Sequence, residues 1–212
     1  MQILKGLACA GLLCYTVIMS TAYLFFGKSG SGKGTQAQLL KSHLESQGKK
    51  VIYIETGKLF RDFAESHTGF IGEHIHSIID GGNLMPPFFP VYLWSQKLIE
   101  QYTGVEDIIT DGVARRVEEA PMLDSAFNFL EIAKRFVITI DVSDQWVIDH
   151  MRAQGGRADD TPEGIQKRLS WFGKEVMPAI KHFENDENYQ SVIINGDQTI
   201  EQVAAEIQKK IM

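Results

Sequence analysis

The stretch GKSGSGKGTQ, Gly27 to Gln36, constrains this chain more than any other, because it places a glycine-rich turn between an apolar strand (AYLFF) and an amphipathic helix (AQLLKSHL). The spacing is G27-x-x-x-x-G32-K33, with Gly30 and Gly34 removing side chains where consecutive amides would wrap an anion. Lys33 stands where its ammonium reaches terminal phosphate oxygens, and the N-terminus of the following helix points partial positive charge at them. A merely structural turn accounts for the glycines but not for the lysine. Gly30, Ser31, Gly32, Lys33, Gly34 and Thr35 are therefore the candidate phosphate-binding set, with Thr35 offset by one from the usual serine or threonine. The loop alone leaves ATPase, GTPase and kinase open.

Around this loop, apolar runs alternate with helical periodicity. KVIYIE, EDIITDG, KRFVITIDV and QSVIING read as further strands, and the segments between them as helices. Residues 57–80 and 88–102 are expected to be mainly helical, RRVEEAPMLDSAF to form a helix, and IQKRLSWFGKEVMPAIKHFE one long helix. The pattern predicts an α/β chain with the P-loop NTPase fold, a five-stranded mostly parallel sheet covered by helices on both faces.

Composition narrows the function classes. A chain of 212 residues with 44% hydrophobic and 23% charged side chains holds a sizeable core, and a formal charge of −6 argues against a broad nucleic-acid face. Cys9 and Cys14 give neither a zinc framework nor a disulfide framework. Residues 1–18 form a hydrophobic extension that reads as an anchor, an export signal, a packed helix or a dispensable leader before a start at Met19. The P-loop strand claims the end of that run, which leaves Gly6 to Ser20, short for a spanning helix.

The string FFGKSGSGKGTQAQ, followed in order by TGKLFR, GGNLMP, DGVARR, GRADD…KRL, MPAI and INGD, resembles the adenylate kinases and related nucleoside monophosphate kinases across residues 21 to 210. The resemblance implies a kinase domain over 19–212, with a helical monophosphate-binding insertion at about 56–86 and a short lid at about 152–163. It implies transfer of the ATP γ-phosphate to a nucleoside monophosphate with Mg2+, and it assigns the loop residues to the ATP phosphates. By the same resemblance Thr56, Arg61, Met85, Arg115 and Glu119 take the monophosphate, with Lys33, Arg115, Arg157 and Arg168 serving the transfer. The lid carries Arg152, Arg157, Asp159 and Asp160, and His150 stands where an arginine commonly stacks on the donor base. Asp111, at the end of a strand beside the loop, is expected to hold a magnesium-bound water. The expected partners are ATP and a nucleoside monophosphate, with no nucleic acid and no membrane except through the extension. A cytoplasmic monomer is expected.

The chain departs from the family pattern at several positions. Lys58 replaces an aspartate, and Val113 and Ala114 replace phenylalanine and proline, predicting a more flexible and less filled link. Arg116 takes the place of a threonine and is read as a neighbour of the site. Glu119 replaces the glutamine that reads adenine. An ionised carboxylate only accepts hydrogen bonds, which points toward GMP, whereas Thr56 and the whole-chain likeness favour AMP. Pyrimidines rank behind both.

Overall fold

A computed structural model describes residues 20–154 and 161–212, and of residues 152–154 the backbone alone. The expectations for residues 1–18, for the side chain of Arg152 and for Arg157, Asp159 and Asp160 lie outside the described residues.

Strand β1 (Thr21–Gly27) is the centre of a parallel sheet ordered β2-β3-β1-β4-β5, with β2 at Val51–Glu55, β3 at Asp107–Asp111, β4 at Lys134–Asp141 and β5 at Tyr189–Asn195. Its alternation sorts the core. Ala22, Leu24 and Phe26 face Trp94 and Leu98 of α4 (Phe88–Gln101), Leu123 and Phe127 of α5 (Ala120–Phe129) and Phe183 of α8 (Met177–Glu184). Tyr23 and Phe25 face Leu40 and Leu44 of α1 (Lys33–Ser46), Val147 of α6 (Asp144–Gln154) and Ile207 of α9 (Ile200–Ile211). Each such side chain removed from water stabilises the fold by about 1.5–3 kcal/mol, so burying both faces fixes strand register and helix placement together. The buried carboxylate of Asp107 anchors the start of β1, accepting the Thr21 N–H at 2.8 Å while pairing with Lys49 at 2.7 Å.

A third, smaller cluster of Ala64, Ile75, Met85, Phe89 and Leu93 packs α2 (Thr56–Ser66) and α3 (Phe70–Asp80) onto α4. Among the described residues no helix is long and apolar enough to cross a membrane.

Two helices differ from expectation, and proline explains both. RRVEEAPMLDSAF becomes helical only from Ala120, because Pro121 is tolerated in a first turn but would clash with the carbonyl four residues earlier in a helix begun at Arg115. The long helix after the polar excursion is divided into α7 (Pro162–Trp171), a π-helical turn (Phe172–Val176) and α8. Pro178, in the first turn of α8, has no N–H to give to the α-helical ladder, and the wider turn precedes it.

Candidate active site

The C-terminal ends of β1, β2 and β3 open on one side of the sheet, where order reverses about the central strand and parallel α/β sheets bind ligands. Beyond β1 the glycine loop turns through left-handed backbone at Gly30 (φ 81°) and Gly32 (φ 84°), and α1 begins at Lys33. Lys33 Nζ donates to the Lys28 carbonyl at 2.8 Å, which curls the lysine over its own loop. The loop is braced from outside by Lys28, whose Nζ donates to the Val142 carbonyl at 2.7 Å and pairs with Asp144 at 2.6 Å.

Asp111 ends β3 opposite Phe25, facing the start of α1. A Cβ added at Gly34 would stand 3.1 Å from its Oδ2. Glycine at 34 thus makes room for a carboxylate beside the phosphate loop. Thr35 lines the same space and is exposed.

On the other flank, β2 passes directly into α2. Thr56 is buried at the junction, its hydroxyl without a hydrogen-bond partner, and Arg61 reaches back one turn and a half to Glu55 Oε1 at 3.1 Å. Lys58 turns away from this wall and pairs with Asp62 at 2.8 Å. The charge reversal at 58 is therefore spent on a helix-surface pair.

The link after β3 differs from expectation. Val113 and Ala114 are buried in the core rather than loosely packed, and Ala114 holds φ 52°, a conformation closed to proline. The unusual turn folds Arg115 back over Gly112 (φ 75°), where a Cβ would meet the guanidinium Nε at 2.7 Å. Arg116 points elsewhere and reaches Glu175 at 3.4 Å. Glu119, immediately before α5, is 3% exposed, and its Oε2 accepts the Arg115 N–H at 3.2 Å. Burial pushes its carboxyl up to about 7 against the opposing pull of that N–H and of Arg115 and Arg116, so the permanently ionised group expected at this position is half neutral near pH 7.

Two further elements close the space. His150 on α6 stacks on Trp146 with ring centroids 4.4 Å apart, and Arg168, buried on α7, reaches the same interior. The result is a single cleft of about 410 Å³. Its walls bring together Gly30, Gly32, Lys33, Gly34, Thr35, Thr56, Arg61, Met85, Asp111, Arg115, Glu119, His150 and Arg168. Ser31 is placed apart from them. Its side chain is buried and its N–H donates to the Lys28 carbonyl at 3.1 Å.

Four cations (Lys33, Arg61, Arg115, Arg168) and three carboxyl groups (Glu55, Asp111, Glu119) line this interior among the described residues. With Glu119 partly neutral the balance is positive, suited to anionic ligands. Sequence reasoning passed over four contributing side chains. Glu55, the Arg61 partner, was signalled only by its place at the end of β2. The Lys28 brace rests on a contact 114 residues away in the chain. Trp171 Nε1 donates to the Gly82 carbonyl at 3.2 Å, and Lys167 Nζ to Gly81 at 2.6 Å, tying α7 to the turn after α3. No local pattern announces that tie.

The family model described as adenylate kinase matches residues 25–188. The chain is 32% identical over 187 residues to adenylate kinase 1 of Nostoc sp. (strain PCC 7120), covering 88% of this chain and 96% of that protein. It is 32% identical over 181 residues to an adenylate kinase of Corynebacterium aurimucosum (85% and 93%), and 30% identical over 185 residues to that of Oenococcus oeni (86% and 94%).

Proposed function

This chain belongs to the adenylate kinase family and is a nucleoside monophosphate kinase, and we propose that it catalyses the reversible, Mg2+-dependent reaction ATP + AMP = 2 ADP. The observation that carries this reading is the convergence of Lys33, Arg61, Arg115, Arg168 and Asp111 on one cleft.

In the proposed reaction the acceptor phosphate oxygen forms a bond to the γ-phosphorus as the bond to the β,γ-bridging oxygen breaks. The acceptor phosphate is already an anion, so no side chain has to remove a proton. What the protein supplies is alignment and charge compensation. Lys33 and the loop amides hold the donor phosphates. Arg61, oriented by Glu55, and Arg115, folded over Gly112, hold the acceptor phosphate from two sides. Arg168 meets the transferring group from α7, and Arg157 and Arg152 would join from the lid, with Asp159 and Asp160 orienting the arginines. The donor base stacks on His150, backed by Trp146.

Asp111 fits a Mg2+ site of the kind proposed, since a hard cation takes oxygen ligands and keeps several waters, and this carboxylate stands beside the phosphate loop within reach of such a water. The ion, when bound, neutralises charge on the donor phosphates. The reading takes the cytoplasm, where ATP is abundant, as the place of the reaction and a monomer as the acting form.

GMP is the second acceptor reading, favoured by the carboxyl at 119. A coupled assay with ATP, Mg2+ and AMP, GMP, CMP or UMP tests the proposal. Diphosphate formation with AMP is expected, and nucleotide binding without any diphosphate above background would turn the reading into that of a nucleotide-binding scaffold.

A further inference from the structure

Among the described residues Glu119 is the one carboxyl of the cleft that is nearly sealed from solvent, at 3% exposure, and the same cleft is lined by a second sealed polar group, the unpartnered hydroxyl of Thr56. A buried hydroxyl and a buried carboxyl without mutual pairing cost free energy unless a ligand completes them. The Arg115 N–H at 3.2 Å holds Oε2 as an acceptor, so a proton taken up by the carboxyl resides on Oε1. In that neutral form the group presents one O–H donor and one acceptor, the same pair as a glutamine amide. This matches adenine, whose N1 accepts and whose N6 amino group donates. In the ionised form both oxygens accept, which matches the adjacent N1–H and N2 amino donors of guanine and opposes the adenine N1 lone pair. Thr56 serves either base, because a hydroxyl rotates between donor and acceptor.

We propose that Glu119 selects the acceptor purine by its own protonation state, so that one cleft takes AMP when the carboxyl is neutral and GMP when it is ionised. The proposal rests on the kinase reading above and extends it to a dual, proton-controlled acceptor specificity. Burial holds the group near the point where both forms are populated around neutrality.

The surrounding charges are fixed enough to leave Glu119 as the determinant. Arg115 and Arg116 act on it from its own connection, and Arg116 is partly neutralised by Glu175 at 3.4 Å from the π-helical turn. The same cleft is also lined by Arg168 of α7, Arg61 and Glu55 of the β2–α2 junction, Lys33 of α1 and Asp111 of β3. His150 stacks on Trp146 on the donor side and acts on both acceptor reactions alike. The acceptor phosphate is common to AMP and GMP, so its ionisation cancels in their ratio.

The test is the ratio of kcat/KM for AMP to that for GMP between about pH 6 and about pH 8, expected to fall by up to about tenfold per pH unit in the natural protein. Glu119→Gln should give a high ratio that does not change with pH. Equilibrium binding of AMP and of GMP at the same pH values reads the same ratio without turnover. A protein that binds both with the expected pH trend but forms no diphosphate refutes the kinase reading while supporting the base selection. A ratio independent of pH in the natural protein, with turnover intact, overturns the base selection alone, and failure to bind either purine overturns both. The wild-type titration stands even if the variant does not fold.

Discussion

The Arg115 guanidinium lies against the Cα of Gly112, its Nε 2.7 Å from where a Cβ on residue 112 would stand. Gly112→Ala therefore does two separable things. It places an alanine at φ 75°, at a cost of about 1–2 kcal/mol in stability, and it pushes Arg115 off its support. Well below the melting temperature, kcat/KM for the acceptor should fall at least about tenfold, the equivalent of about 1.4 kcal/mol in transition-state binding. In an Arg115→Ala background the same change should still lower the melting temperature but leave the kinetics unaltered. An additive kinetic loss in the double variant would show that Gly112 acts on the site by some route other than Arg115.

Lys33→Met keeps most of the length of the side chain and removes its charge. Lys33 bonds to a loop carbonyl and is only partly buried, so the fold should survive with its melting temperature little changed. Turnover should drop by about 10² to 10³, the scale of losing one charge-stabilising donor in a transfer reaction. Circular dichroism and steady-state kinetics on the same preparation separate the two effects, and near-normal kcat would remove Lys33 from the transfer step.

How much of this was written in the sequence depends on the range over which each feature is encoded. The phosphate loop was legible because Gly30, Gly32 and Lys33 state their backbone and charge requirements within a few residues. The alternation of Ala22, Leu24 and Phe26 with Tyr23 and Phe25 likewise announced a strand buried on both faces. The start of α5 was misplaced although Pro121 marked it, since apolar periodicity continued through the proline. The half-neutral state of Glu119 was hidden for a different reason: it is a product of burial, which assembles only when α5, the link and the cleft meet. The tie between Trp171 and Gly82 spans 89 residues and leaves no local trace.

The buried carboxyl of Glu119 also links stability to pH. Its value rises from an ordinary 4.5 to about 7 on folding, because burial penalises the charged form. An acid raised in this way lends stability that is fully present below 4.5 and is lost as pH climbs through about 7. The amount at stake is on the order of 3 kcal/mol. Glu119→Gln cannot ionise, so its stability relative to the natural protein should improve steadily as pH increases across that window and level off above it. Urea denaturation of both proteins at a series of pH values reads this directly. Parallel stability curves would mean that Glu119 folds as an ordinary ionised carboxylate.

Ala114 offers the sharpest test of the link itself. It is fully buried at φ 52°, between Val113, 1% exposed, and the arginine that folds over Gly112. Related kinases are expected from the resemblance to carry proline there, and proline is fixed near a φ of about −65°. Ala114→Pro should therefore force the link to turn over, withdrawing Val113 from the core and Arg115 from the cleft. A loss of about 3 kcal/mol is expected, equivalent to a fall of roughly 6 to 12 °C in melting temperature. Ala114→Gly gives the opposite balance. Relief of left-handed strain offsets the lost methyl contact and the added freedom of the unfolded chain, leaving stability within about 1 kcal/mol of the natural protein. If the proline variant melts higher than the natural protein, residue 114 must sit at negative φ, and the support of Arg115 by Gly112 falls with it.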